Sequence, residues 1–129
     1  MRIEHLAIWV KDLEVMRAFY EKYLGATAGE KYHNPKKNFT SYFLSFAEGS
    51  RLELMHKPEV PDLMNAHETQ HIGIIHFAMS VGSKEKVDSL TEELRADGYV
   101  IEGEARTTGD GYYESVILDP EYNRVELTI

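Results

Sequence analysis

Cysteine is absent from this 129-residue chain. That removes disulfides, thiolate zinc sites and cysteine nucleophiles together. A basic excess is missing too: 14 Lys and Arg stand against 22 Asp and Glu, for a net charge of −8. Binding nucleic acid needs a cationic face to neutralise phosphates, so that class of partner is not expected. No apolar run approaches the roughly 20 residues of a membrane span, and the first residues lack a charged-then-apolar signal pattern. A soluble, cytoplasmic protein with no nucleic-acid or membrane partner is the expectation. What is present is ordinary for a globular domain, with 43% hydrophobic and 28% charged residues. The length suits one domain spanning 1–129 with a real core.

A four-residue phrase occurs twice, as Arg51-Leu52-Glu53-Leu54 and Arg124-Val125-Glu126-Leu127. Each copy closes a longer unit, and each unit opens on a strand-like stretch with one histidine, His5 and His76. Unit one runs from about Met1 to Lys57 and unit two from about Ile72 to Ile129, joined by a connector over Pro58–His71. In unit one, Ile3–Val10 reads as a strand. Asp12 caps a helix from Leu13 to about Leu24, with an apolar face of Leu13, Met16, Tyr20 and Leu24, and Gly25 stops it. Strands follow at Ala26–Tyr32, Phe39–Phe46 and Arg51–His56, separated by turns at Asn34–Asn38 and Glu48–Ser50. Unit two repeats the order. Gly73–Val81 is a strand, Ser83 caps a helix to about Asp97 with Val87, Leu90 and Leu94 inward, and Gly98 stops it. Strands follow near Tyr99–Ala105, Tyr112–Leu118 and Arg124–Ile129. Each unit is βαβββ, which is an α+β class with mostly antiparallel, barrel-like curved sheet and one helix per unit outside.

Alternation along the strands separates two faces. Leu6, Ile8 and Val10 oppose His5, Ala7 and Trp9. Phe77, Met79 and Val81 oppose His76, Ala78 and Ser80. Leu52 and Leu54 oppose Glu53, and Val125, Leu127 and Ile129 oppose Glu126. The apolar faces cover the helices, so both histidines and both glutamates point to the other, concave side. Two imidazoles and two carboxylates suit one divalent ion, whether Zn, Ni, Co, Mn or Fe(II), and leave positions open for substrate oxygens. A lone strand histidine is ordinarily a hydrogen-bonded core residue, and a lone glutamate is ordinarily solvated. The recurrence of the pair at matching places favours a metal.

His67-Glu68-Thr69-Gln70-His71 matches the HExxH pattern of zinc proteases. It follows Pro58 and Pro61 and runs straight into a strand, leaving room for two helical turns at most, so a linker is expected there. Trp9 shares the His5 face and is a candidate for lining a substrate pocket, as is one of Tyr112 and Tyr113 after the flexible Gly109-Asp110-Gly111 turn, Tyr113 being the choice. Arg51 and Arg124 are in phase with the glutamates, suited either to an anionic substrate or to pairing with a carboxylate. Lys36 and Lys37 read as a hairpin tip.

With these features the chain resembles the vicinal oxygen chelate superfamily, the group of glyoxalase I, methylmalonyl-CoA epimerase and extradiol dioxygenases. The resemblance covers essentially the whole chain. It rests on the paired βαβββ units, on His5 followed by Val10-Lys11-Asp12-Leu13 and Phe19-Tyr20, and on the ending Asp119-Pro120-Glu121-Tyr122-Asn123-Arg124-Val125-Glu126-Leu127. In that ending Tyr122 stands where glycine is commoner. The resemblance implies His5, Glu53, His76 and Glu126 as metal ligands, and catalysis by a carboxylate, Glu126 first and Glu53 as the other candidate. It implies a glyoxalase I-like lyase or isomerase (lactoylglutathione lyase-like) that chelates vicinal substrate oxygens and shuttles a proton through an enediolate. Glutathione-binding members commonly carry an arginine near the place of Trp9, so a glutathione adduct is disfavoured. Other implied activities are an acyl-CoA epimerase, an extradiol-type dioxygenase, or a non-catalytic antibiotic-binding protein of the bleomycin-resistance type. A homodimer acting on a small molecule is expected, with the site closed within one chain or between two.

Overall fold

The computed structural model describes residues 1–61, 69–70 and 72–129. It forms two compact units, Met1–Met64 and Asn65–Ile129. Unit one holds β1 (His5–Trp9), α1 (Leu13–Leu24), β2 (Thr27–Ala28), β3 (Tyr32–Asn34), a 3-10 turn at Pro35–Lys37, β4 (Phe39–Ser45) and β5 (Arg51–His56). Unit two holds β6 (Phe77–Ser80), α2 (Lys84–Ala96), β7 (Ile101–Thr107), β8 (Tyr113–Leu118) and β9 (Arg124–Thr128). The expected α+β order is present in both. Among the described residues the strands form two mixed sheets, neither of them a closed barrel. Their strand orders are β1-β5-β4-β2, with β3 also on β4, and β6-β9-β8-β7.

Local chemistry sets the helix ends. The Asp12 carboxylate accepts the backbone N–H groups of Glu14 and Val15 at 2.9 and 3.0 Å, two of the donors a helix start leaves orphaned. Gly25 closes α1 at φ +64, the left-handed conformation that costs glycine nothing, and its N–H bonds the Tyr20 carbonyl. Ser83 Oγ accepts Lys86 N–H at 3.2 Å and starts α2. The buried face of α1 is Leu13, Met16, Phe19, Tyr20 and Tyr23. Leu24, expected there, is half-buried, because the stripe drifts one residue toward Phe19 and Tyr23. Helix α1 packs on β4 and β5, where Leu44, Leu52 and Leu54 are buried too, each large side chain contributing about 1.5–3 kcal/mol on burial. In unit two α2 packs on β8 and β9, and Val87, Leu90, Leu94, Ile117, Val125 and Leu127 are buried. Ile129 has run past the core and is exposed.

Two expected strands differ most from what forms, while Ile3–Val10 is trimmed to β1 and Tyr99–Ala105 is shifted to β7. Ala26–Tyr32 is split into β2 and β3. Ala28 pairs with Leu44 but Tyr32 with Ser41, four steps on this strand against three on β4. The extra residue is a bulge, and Gly29 donates its N–H to the Phe43 carbonyl beside it. Gly73–Val81 is shortened to β6, since its partner β9 begins its pairing at Phe77↔Val125. The HExxH stretch at 67–71 lies mostly outside the described residues. Among those described, no helix is long and apolar enough to cross a membrane.

Candidate metal centre

In unit one β1 and β5 run parallel, with Ala7 opposite Glu53. His5 lies two residues before Ala7. Its Nε2 stands 4.0 Å from Glu53 Oε2. In unit two β6 and β9 also run parallel, with Ala78 opposite Glu126. His76 again lies two residues before, and its Nε2 stands 3.4 Å from Glu126 Oε2. The two units therefore build the same imidazole–carboxylate pair from the same register. In each the glutamate is the more buried partner, its side chain 14% and 16% exposed. It lies between buried leucines in unit one and between Val125 and Leu127 in unit two, so alternation alone turns it away from the helix.

The closing turn before β9 sets where Glu126 falls. Buried Asp119 accepts the N–H groups of Glu121 and Asn123 and the Asn123 side-chain amide through one carboxylate oxygen. Tyr122 has φ +66, the left-handed region in which glycine is easiest.

The donor set can be tested against a divalent ion from these distances. At ligand bonds of ~2.1 Å, neighbouring donors sit about 3.0–3.4 Å apart in octahedral or tetrahedral geometry. The His76–Glu126 pair meets that spacing, and the His5–Glu53 pair needs only a small side-chain movement. Among the described residues no group of three or more metal-ligating side chains is drawn together. Each unit supplies a pair of suitable chemistry.

The pairs differ in their surroundings. In unit one the other ring nitrogen, His5 Nδ1, is 2.5 Å from Glu4 Oε2. Arg51 donates to the second Glu4 oxygen through Nε and Nη2 at 2.9 and 2.5 Å, and its guanidinium stacks over the Phe43 ring. Hydrogen bonds from His5 and then Arg51 hold the Glu4 carboxyl below the usual carboxylate range. In unit two Glu126 is pushed up, first by burial and then by the nearby Glu114 charge. Glu114 lies on β8 two residues from Val116, the cross-strand partner of Glu126, and pairs with Arg106 at 3.4 Å.

Each residue expected to touch substrate has contacts within its own unit. Trp9 is 45% exposed and packs edge-on against Phe39, which in turn meets Tyr32. Arg51 and Arg124 both pair with carboxylates, Arg51 with Glu4 and Arg124 with Glu102 of β7. Tyr113 is turned to the helix side, a correction to its expected place in the pocket. It shares the phase of Ser115 and Ile117, its hydroxyl donates to Asp88 of α2, and Lys84 lies over its ring. Glu4, Glu114 and Arg106 escaped sequence reasoning. Glu4 falls in the phase of Leu6 and Ile8 in the expected strand, which sets it opposite His5, but β1 begins only at His5; Arg106 follows two register shifts on β7 that break alternation.

Comparison with known proteins agrees with this architecture. Residues 2–127 match the family described as the Glyoxalase/Bleomycin resistance protein/Dioxygenase superfamily. A Bacillus subtilis protein, YqjT, is 28% identical over 97% of this chain and 96% of its own length. A lactoylglutathione lyase of Schizosaccharomyces pombe is 29% identical over 98% of this chain, which spans only 44% of that enzyme. The trypanothione-dependent glyoxalase I of Leishmania major superposes with a TM-score of 0.76 at 24% identity, over 99% of this chain and 86% of that one.

Proposed function

Because this chain belongs to the glyoxalase/bleomycin resistance protein/dioxygenase superfamily, we propose that it is a divalent-metal-dependent lyase or isomerase of the glyoxalase I type. His5 and Glu53 supply one half of the ligand set, and His76 and Glu126 the other. The observation that carries this reading is the repeated pair, an imidazole nitrogen and a carboxylate oxygen 4.0 and 3.4 Å apart at matching register. Two neutral imidazoles and two carboxylates cancel a 2+ charge, and they suit Zn, Ni, Co, Mn or Fe(II).

When bound, the ion supplies Lewis-acid stabilisation of negative charge on two vicinal substrate oxygens. The protein's share is proton transfer. Glu126 takes a proton from a carbon next to a carbonyl and returns it to the neighbouring carbon. Without an ion, burial and then the Glu114 charge raise the Glu126 carboxyl; a bound 2+ ion would act in the opposite direction. Glu53, in the equivalent position of the other unit, is the second carboxylate for that exchange. Trp9 and Phe39 offer an apolar wall on the His5 side of unit one, suited to an uncharged part of a small substrate.

The test is metal analysis of purified and reconstituted protein, followed by turnover. Near-stoichiometric metal and isomerisation of the adduct of methylglyoxal with glutathione or another thiol is the expected result. Solvent deuterium entering a 2-methyl thioester would instead mark an epimerase, and oxygen uptake with catechols and iron(II) a dioxygenase. No divalent metal after reconstitution overturns the reading.

A further inference from the structure

The two histidines are equivalent in register, but their outward nitrogens are not treated alike. His5 is preceded by Glu4, and His76 by Ile75. The arginine of the repeated phrase follows the same split. Arg51 reaches Glu4 with two nitrogens, whereas Arg124 turns to Glu102 on β7. Unit one thus carries a three-part relay, Arg51 to Glu4 to His5 Nδ1, that the described residues of unit two do not reproduce.

The hydrogen in that relay can be assigned from chemistry. An ionised carboxylate is an acceptor only. One Glu4 oxygen accepts from the Arg51 guanidinium, which fixes the carboxylate in its charged form. The other oxygen lies 2.5 Å from His5 Nδ1, so Nδ1 carries the hydrogen and donates it. In the neutral ring the lone pair then sits on Nε2, the nitrogen 4.0 Å from Glu53. That is the nitrogen a metal would take. The ring plane is set as well, since Phe43 meets it edge-on at 83° and 5.3 Å, and Arg51 covers the same Phe43 ring at 4.2 Å. The backbone secures the segment: Arg51 N–H bonds the Glu4 carbonyl and Ser50 Oγ bonds the Ile3 carbonyl.

We propose that Glu4, braced by Arg51, is a positioning residue for His5: it holds the Nδ1–H tautomer and turns the Nε2 lone pair toward Glu53. The purpose of this device rests on the metal reading given above, but the device itself does not. A carboxylate behind a ligating histidine fixes its tautomer and raises its basicity, and losing it typically weakens metal binding about 10–100-fold.

The experiment uses the full chain, with Glu4→Ala, Glu4→Gln and, as a charge-matched control, exposed Glu48→Ala. Ring nitrogen spectra of metal-free, 15N-histidine-labelled protein at alkaline pH report each tautomer, with His76 as the internal reference. Competition with a chelator reports zinc affinity. His5 is expected as Nδ1–H in the parent and in Glu48→Ala. In Glu4→Ala it should relax toward Nε2–H, which then donates to Glu53, while His76 is unchanged. Zinc affinity should fall about 10–100-fold in Glu4→Ala, less in Glu4→Gln, whose amide oxygen still accepts, and less than twofold in Glu48→Ala. An unchanged His5 tautomer in Glu4→Ala overturns the proposal, and so does zinc affinity equal to that of Glu48→Ala. If the parent binds no metal, the metal reading fails by itself, and the ring spectrum alone decides whether Glu4 holds His5.

Discussion

Thr91 of α2 and Ser115 of β8 form a buried polar contact that couples the unit-two helix to the strand carrying Glu114. Their hydroxyl oxygens are 2.7 Å apart, and both residues are fully buried. Thr91 has one hydroxyl hydrogen and spends it on the Val87 carbonyl at 2.7 Å. Ser115 must therefore donate and Thr91 accept. The two single substitutions are then unequal. Thr91→Val leaves the Ser115 hydroxyl without an acceptor in an apolar layer, which costs about 1–3 kcal/mol. Ser115→Ala leaves Thr91 bonded to Val87 and removes one ordinary hydrogen bond, about 0.5–1.5 kcal/mol. The pair Thr91→Val with Ser115→Ala orphans nothing, so it should cost less than the sum by at least ~0.5 kcal/mol. Urea unfolding of chelator-treated protein measures all four forms without metal linkage. For a chain of this length each kcal/mol corresponds to roughly 3–5 °C in Tm. Ser115→Ala costing as much as Thr91→Val, or strict additivity of the two, would refute the donor assignment.

Glu126→Gln should cut turnover by about 10²–10⁴-fold, because it removes the proton acceptor while keeping shape; full activity would exclude Glu126 as the base. The same variant tests the pH linkage. Burial and Glu114 raise the folded-state Glu126 carboxyl above its usual 4.5, so the folded state holds more protons than the unfolded one between the two values. Stability from this group is thus lost as pH rises through that window. Metal-free parent protein should weaken relative to Glu126→Gln from about pH 4.5 upward, by paired denaturant titrations; a flat or rising difference contradicts it. His76→Ala should lower bound metal well below stoichiometry by elemental analysis, and retention of full metal content would remove it from the ligand set. Gly25→Ala should cost about 1–2 kcal/mol in thermal unfolding, since φ +64 strains any side chain, and a neutral result would mean the helix ends elsewhere.

Much of the fold was legible because it is written in short-range patterns. Asp12, Ser83 and Gly25 fall at the helix ends their chemistry predicts, and β5 runs over Arg51–His56 as its alternation suggests. The bulge that splits β2 from β3 was not legible. It depends on the pairing of both with β4, a contact between distant segments. Which strands stand at the sheet edges was not legible for a related reason, as edges are decided by strand pairing rather than by any strand's own pattern. Tyr113 was misplaced because a single residue at the start of a strand has too few neighbours to reveal its phase; its hydroxyl found Asp88.

What the sequence by itself determined was the phase of Glu53 and Glu126, opposite the buried residues on either side of each. A two-residue period along each strand and a duplicated order suffice for that. Only the tertiary structure decided the parallel register that puts each imidazole Nε2 and its glutamate oxygen 4.0 and 3.4 Å apart. Only it sent two arginines from identical phrases to different carboxylates, Arg51 to Glu4 and Arg124 to Glu102. A side chain's partner is whatever charge the neighbouring strands bring within reach, and no local pattern encodes that distance.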